Sequence, residues 1–203
     1  MTRSLSDLLA SRRMCRDFSP EPISSDILDP VLAAAFAGPR AGNTHGIHLV
    51  VLEDAECARY WDVTLPEERR SGFRWPGLLR APVLAVVVVD VEAYVRRYGE
   101  SDKVGSGLGS SAEAWAVPYW FVDAGSAAMA VLLAAEAAGL GALWFALFDH
   151  EAAVAEEFGV PAGFRAVGTL ALGRRAPGPS EASRSATRGR PDPLEFLHRG
   201  GWA

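Results

Sequence analysis

The segment Ser11-Arg12-Arg13-Met14-Cys15-Arg16-Asp17-Phe18 places three guanidiniums, on Arg12, Arg13 and Arg16, next to one another. An arginine fork matches the oxygens of a phosphate monoester, and several forks together balance its double charge. The same residues end a run in which Leu5, Leu8 and Leu9 share a face. They therefore also read as cations gathered at a helix C-terminus, where the helix dipole favours them.

A second constellation is Gly38-Pro39-Arg40-Ala41-Gly42-Asn43-Thr44-His45-Gly46, which runs straight into a strand. Asn43 both donates and accepts, as the mixed edge of a pyrimidine ring requires. The plain alternative is a helix-to-strand connection. A third runs from Asp123 to Phe148 through Gly139-Leu140-Gly141. Its small residues Ala124, Gly125, Ala127 and Ala128 permit close packing, in a core or against another subunit. The fourth, Arg188-Gly189-Arg190-Pro191 near the end of the chain, offers arginines to an anion or is a surface tail.

Several elements must position these groups. Serines at 4 and 6 can cap a first helix over 4–13. A second follows Ser24-Ser25, with Ile27, Leu28, Val31, Leu32 and Phe36 on one side and Pro30 either starting or kinking it. Strands are predicted over 47–52, 82–90, 142–147 and 165–172. The run Pro82 to Asp90 is apolar and β-branched enough to be buried on both faces. Helices are predicted over 54–60, 91–98, 121–138 and 150–158. Residues 66–80 read as irregular. The Gly- and Ser-rich stretch 101–111 reads as mobile, with Gly105 to Gly109 as a lid hinge and not as a dinucleotide loop, because no strand precedes it. No internal repeat is present. Helices outnumber strands, and an α+β layered fold fits best.

At 203 residues the chain holds one sizeable core. Its 49% hydrophobic and 22% charged residues are those of an ordinary globular protein. A net charge of −5 argues against a nucleic-acid binder. Cys15 and Cys57 have no metal-ligand spacing. The apolar stretch 122–148 carries Asp123 and Glu136 and is broken by Gly139 to Gly141, so it reads as a buried helix and strand and not a membrane span. Free thiols and the lack of an apolar leader make the cytoplasm the expected location.

Taken together, SRRMCRDFSPEPI, AGPRAGNTHGIHLVVLED, VDAGSAAMAVLLAAEAAGLGALWF and RGRPDPLEFLHRGGW resemble, in order and spacing, the motifs of the flavin-dependent nitroreductase family over nearly the whole chain. The resemblance implies one α+β domain over residues 1–203, a three-layer sandwich with a mixed central sheet flanked by helices. It implies a homodimer with FMN at the subunit interface and residues 176–203 packing on the partner. By position, Arg12, Arg13, Met14 and Arg16 would meet the phosphate and ring edge, and Asn43 and His45 the pyrimidine side. Trp144, Phe145, Ala146 and Leu147 would line the ring, and Arg188 or Arg190 would reach the phosphate across the dimer. The chain departs from the family pattern in three places: Arg40 stands where Ser is usual, His45 where Gln is usual, and Ala146-Leu147 where Gly or Glu-Gly is usual.

That family resemblance implies NAD(P)H as electron donor and alternating, ping-pong reduction of a flat nitroaromatic or quinone acceptor, with no side chain as covalent catalyst. Trp75, Trp115, Tyr119 and Trp120 are the aromatic candidates for the acceptor pocket. Three alternatives stay open: a flavin-consuming enzyme of the dimethylbenzimidazole synthase type, an FMN dehydrogenase of a biosynthetic pathway, and a flavin-binding protein without turnover.

Overall fold

The computed structural model describes residues 3–178, 188–189 and 191–202. The chain begins with α1 (Leu5–Ser11), held by a capping box in which Ser4 and Asp7 satisfy each other's backbone N–H. α2 (Ser25–Ala33) runs through Pro30 without breaking. Then come β1 (Ile47–Glu53), α3 (Asp54–Thr64), α4 (Glu67–Arg70), β2 (Val83–Asp90) and α5 (Val91–Tyr98). The long α6 (Tyr119–Ala137), β3 (Gly141–Ala146), α7 (Glu151–Glu157) and β4 (Phe164–Gly173) complete the body.

The sheet has the order β1-β2-β4-β3, and its three ladders are all antiparallel. The mixed character expected of it is confined to one parallel bridge, Met14 to Ala142, which lays the arginine segment along the free edge of β3.

All eight residues of β2 are buried. Strand alternation sends Val83, Ala85, Val87 and Val89 into one apolar cluster and Leu84, Val86 and Val88 into another. The first cluster is closed by α2, α5 and α6, the second by α3 and α7, which makes the three layers. Among the described residues α6 is the helix long and apolar enough to cross a membrane, but Ala124 and Val131 are fully buried and it serves as the core helix.

The stretch 101–111 is pinned where a hinge was expected. Trp115 donates its indole N–H to the Leu108 carbonyl at 2.9 Å, and Gly109 lies directly on the Gly99 backbone. Residues 66–80, expected to be irregular, contain α4 and a tight 3-10 turn at Pro76–Arg80.

Candidate functional site

The three guanidiniums of the opening motif separate into three roles. Arg13 donates to the carbonyls of Ala10 and Arg12 at 2.8 and 2.9 Å, so it caps the end of α1. Arg16 lies 5.1 Å from the centre of the Trp75 ring, a cation–π contact. Among the described residues Arg12 shows neither kind of partner. Its Nε and Nη1 are shut off from solvent and make no hydrogen bond. A shielded, unpaired guanidinium is unfavourable unless an anion satisfies it.

Arg12 is held in place from below. Leu8 accepts its backbone N–H at 3.0 Å, and Cys15 N–H donates to Ala142 at 2.9 Å. Glu136, near the end of α6, accepts from Ser11 at 2.9 Å, Arg3 at 3.2 Å and Arg175 at 3.0 Å. Burial raises the Glu136 pKa, but the bonds from Ser11 and Arg3 outweigh it and hold the carboxyl below its ordinary value. Gly141 is required here, because a Cβ would meet Cys15 Sγ at 2.8 Å.

Asn43 occupies a different corner. Gly42 and Asn43 both adopt left-handed backbone, with φ of 61° and 54°. The turn is fastened by Asp123 on α6, which accepts Ala41 N–H at 2.8 Å, and by Arg97, which donates to the Gly42 carbonyl at 2.8 Å. Tyr94 packs against Gly46, where a Cβ would come within 2.7 Å of its ring. Burial, and then the Asp123 carboxylate, push the Tyr94 hydroxyl well above its ordinary pKa, so it stays a neutral donor. Asn43 and His45 are exposed, whereas Arg40 Nε is buried with no acceptor.

The strand end carries the third group. Trp144 leans on Gly168 toward the α6 side, while Phe145 points the other way and stacks on Trp61 at 6.0 Å. Leu147 is 3% exposed and buried in the α3-side cluster, leaving Ala146 exposed at the strand end. The bulk of Leu147, a departure from the family pattern, is therefore turned into the core. Phe148 follows at φ 53° and is 85% exposed. A cavity of about 150 Å³ opens here between Tyr60, Trp61, Phe73, Phe145, Leu147 and Phe148.

The four aromatic residues expected to share a pocket do not. Trp115 and Trp120 are each 6% exposed and belong to the α6-side core, where they pack on Tyr94. Tyr119 is exposed beside them. Trp75 lies across the sheet, under Arg16 and Arg74. The alternation of β2 separates the two groups. Tyr60, Trp61 and Phe73, which do line a cavity, carried no distinguishing spacing in the sequence. Asp123 and Tyr94 were equally silent there as a pair. Arg188 is exposed, and Arg190 lies outside the described residues.

The sequence profile of the Nitroreductase family matches residues 9–174, and the chain belongs to that family. A relative from Archaeoglobus fulgidus with the provisional name NADH dehydrogenase/NAD(P)H nitroreductase is 25% identical over 171 residues, 82% of each chain. One of the same name from Methanothermobacter thermautotrophicus is 26% identical over 177 residues, covering 85% of this chain and 78% of its own. The fold is similar to that of an FMN-dependent nitroreductase from Clostridium difficile, with a TM-score of 0.68, 18% identity and coverage of 98% and 100%. It is also similar to nitroreductase A from Vibrio parahaemolyticus, with a TM-score of 0.70, 18% identity and coverage of 100% and 78%. The family and its relatives define an oxidoreductase role for this chain.

Proposed function

We propose that this chain is an FMN-dependent NAD(P)H oxidoreductase that works as a homodimer and reduces flat, apolar acceptors such as quinones and nitroaromatics. The observation that carries the reading is the half-buried Arg12 guanidinium, whose Nε and Nη1 are closed to solvent and unpaired, a ready partner for the flavin phosphate. Bound FMN would supply the hydride chemistry that joins the nicotinamide and acceptor half-reactions in a ping-pong scheme.

The chain's own residues bind and orient. Arg12 neutralises the phosphate, and Met14, bridged to Ala142, carries the motif along β3 toward Trp144 and Ala146. Arg16, braced by Trp75, adds positive charge nearby. The apolar cavity beside Ala146 and Leu147 would seat the acceptor ring and keep water out.

Asn43 enters this reading through a second subunit. Arg12 lies at the β3 edge near the C-terminal end of α6, and Asn43 lies on the β1 side near residue 123. The two corners are about 20 Å apart along α6 and roughly 14 Å apart across the sheet. One flavin would therefore meet Arg12 of one copy and Asn43 of the other. Leu5, Leu9, Phe36 and Val122 are exposed apolar residues suited to that contact. Leu194, Phe196 and Trp202, exposed near the end of the chain, would pack on the partner, bringing Arg188 and Arg190 toward its phosphate site.

Purified protein should be yellow, or become so with added FMN. It should oxidise NADH or NADPH only when a quinone or nitroaromatic is present. Protein that binds no FMN would overturn the proposal, and bound FMN without any NAD(P)H turnover would leave a flavin-binding protein instead.

A further inference from the structure

An aromatic ridge runs from the small cavity beside Ala146 and Leu147 to a pair of arginines. Phe73 lines that cavity, and its ring meets the Trp75 ring edge-on at 6.2 Å. Trp75 in turn carries two guanidiniums, Arg16 at 5.1 Å and Arg74 at 5.3 Å from the ring centre. Phe73, Trp75 and Arg16 are half-buried and Arg74 is exposed, so the far end of the ridge is open to a solute.

These two charges are not offset by acids. Among the described residues neither Arg16 nor Arg74 has an ion pair or a hydrogen bond, and the Trp75 ring is the contact they share. Asp17, the acid next to Arg16 in the chain, gives its carboxylate to Arg80, which also donates to the Phe18 carbonyl at 3.1 Å. Two cations held against one ring repel each other, and the ring offsets this only in part. An anion that reaches both relieves the repulsion.

The ridge is fixed before any ligand arrives. The Trp75 carbonyl accepts Leu78 N–H at 2.9 Å at the start of the 3-10 turn Pro76–Arg80. That turn is clamped onto the opening motif. Phe18 donates its N–H to the Gly77 carbonyl at 3.1 Å, and Gly77 lies so close to Asp17 that a Cβ would collide with it. Cations held on a rigid support lose little freedom on binding.

The inference rests on the reading of this chain as an NAD(P)H oxidoreductase, which brings an anion of the right kind. In a ping-pong scheme the nicotinamide and the acceptor take turns in one pocket, so the rest of the dinucleotide leaves along a wall of the cavity. NADPH differs from NADH by a phosphate monoester on the adenosine 2′ oxygen, close to doubly charged near neutrality. An arginine fork matches the oxygens of that group. The geometry points to Arg74, seated on Trp75 with Arg16 on the same ring, as the residue that binds this 2′-phosphate and makes NADPH the preferred donor.

The test compares NADPH with NADH on the FMN-loaded protein at a saturating quinone concentration. The expected kcat/KM favours NADPH at least tenfold. Arg74→Gln should lower that ratio at least fivefold through the NADPH KM and not through kcat, while Arg74→Lys, which keeps the charge, should retain part of it. Arg74 is exposed, so both variants are expected to fold. A second arm needs no turnover: adenosine 2′,5′-bisphosphate, titrated calorimetrically, should bind at least tenfold tighter than adenosine 5′-monophosphate, and Arg74→Gln should remove the difference. Equal kcat/KM for the two donors, a preference that survives Arg74→Gln, or equal binding of the two nucleotides would overturn the assignment and leave the oxidoreductase reading standing. Protein that binds no FMN would overturn that reading instead, and the nucleotide titration would still decide the role of Arg74.

Discussion

Tyr94 donates its hydroxyl to Asp123 Oδ2 at 2.9 Å, and the same oxygen receives Ala41 N–H at 2.8 Å. One buried carboxylate on α6 thus ties α5 to the loop that carries Asn43. Removing it leaves a buried hydroxyl and a backbone N–H without an acceptor. Asp123→Ala is therefore expected to destabilise the fold by about 2–4 kcal/mol and to weaken FMN binding. Tyr94→Phe should cost about half as much. Urea unfolding of the three proteins decides it, and equal stabilities would show that the pair holds nothing together.

The guanidiniums of Arg12 and Arg13 should respond in opposite ways to truncation. Arg12→Ala removes a half-buried guanidinium with two unpaired nitrogens, so the flavin-free protein should be as stable as the parent or more so, while FMN affinity falls at least 100-fold, about 2.7 kcal/mol. Arg13→Ala removes a helix-end cap and should cost about 0.5–1 kcal/mol of stability with little change in FMN affinity. Combining Arg12→Ala with Arg16→Ala should give a colourless protein. Flavin titrations beside thermal melts read both effects.

Arg12→Ala and Asn43→Ala chains should complement each other. In a mixed dimer, one site keeps Arg12 from one copy and Asn43 from the other, so co-expression should restore part of the flavin that neither variant holds alone. If the two residues serve one flavin within a single chain, mixing restores nothing.

Glu136 gives the fold an acid-sensitive joint. Its pKa is lowered from the ordinary 4.5, against burial, by Ser11 and Arg3. A depressed carboxyl stabilises the fold in full above that ordinary value, and this stability is lost as pH falls through the folded pKa. Stability should therefore drop as pH falls from about 4.5. Glu136→Gln should be less stable near neutrality and flatter through the acid range. A parallel acid limb in the two proteins would remove Glu136 as its source.

Phe148 combines exposure with left-handed backbone. Glycine adopts that backbone freely, so Phe148→Gly should stabilise the unliganded protein by roughly 1 kcal/mol. If the ring helps seat the acceptor, the quinone KM should rise several-fold while kcat stays within about twofold. An unchanged KM would remove Phe148 from the pocket.

Much of the scaffold was legible because it depends on local pattern. The run Val83 to Asp90 is apolar without alternation and forms the strand buried on both faces. Ser4, one of the two serines expected to cap the first helix, does start α1, and Gly139 (φ 74°) marks the turn after α6. The aromatic residues misled for the complementary reason. Trp75, Trp115 and Trp120 have the composition of a pocket, but which side of the sheet each reaches is set by strand order and not by sequence distance.

The opening arginine motif shows the same division. The sequence by itself determined that three guanidiniums stand together at the end of a helix, and that an asparagine loop, a Gly-Leu-Gly turn and a late arginine segment follow in family order. Only the tertiary structure decided that Arg13 closes the helix, Arg16 rests on Trp75 and Arg12 is left without an acceptor. The reason is physical. Residue type fixes what a side chain can bond to, whereas burial and the positions of distant acceptors fix whether that bond is made inside the chain or kept for a ligand.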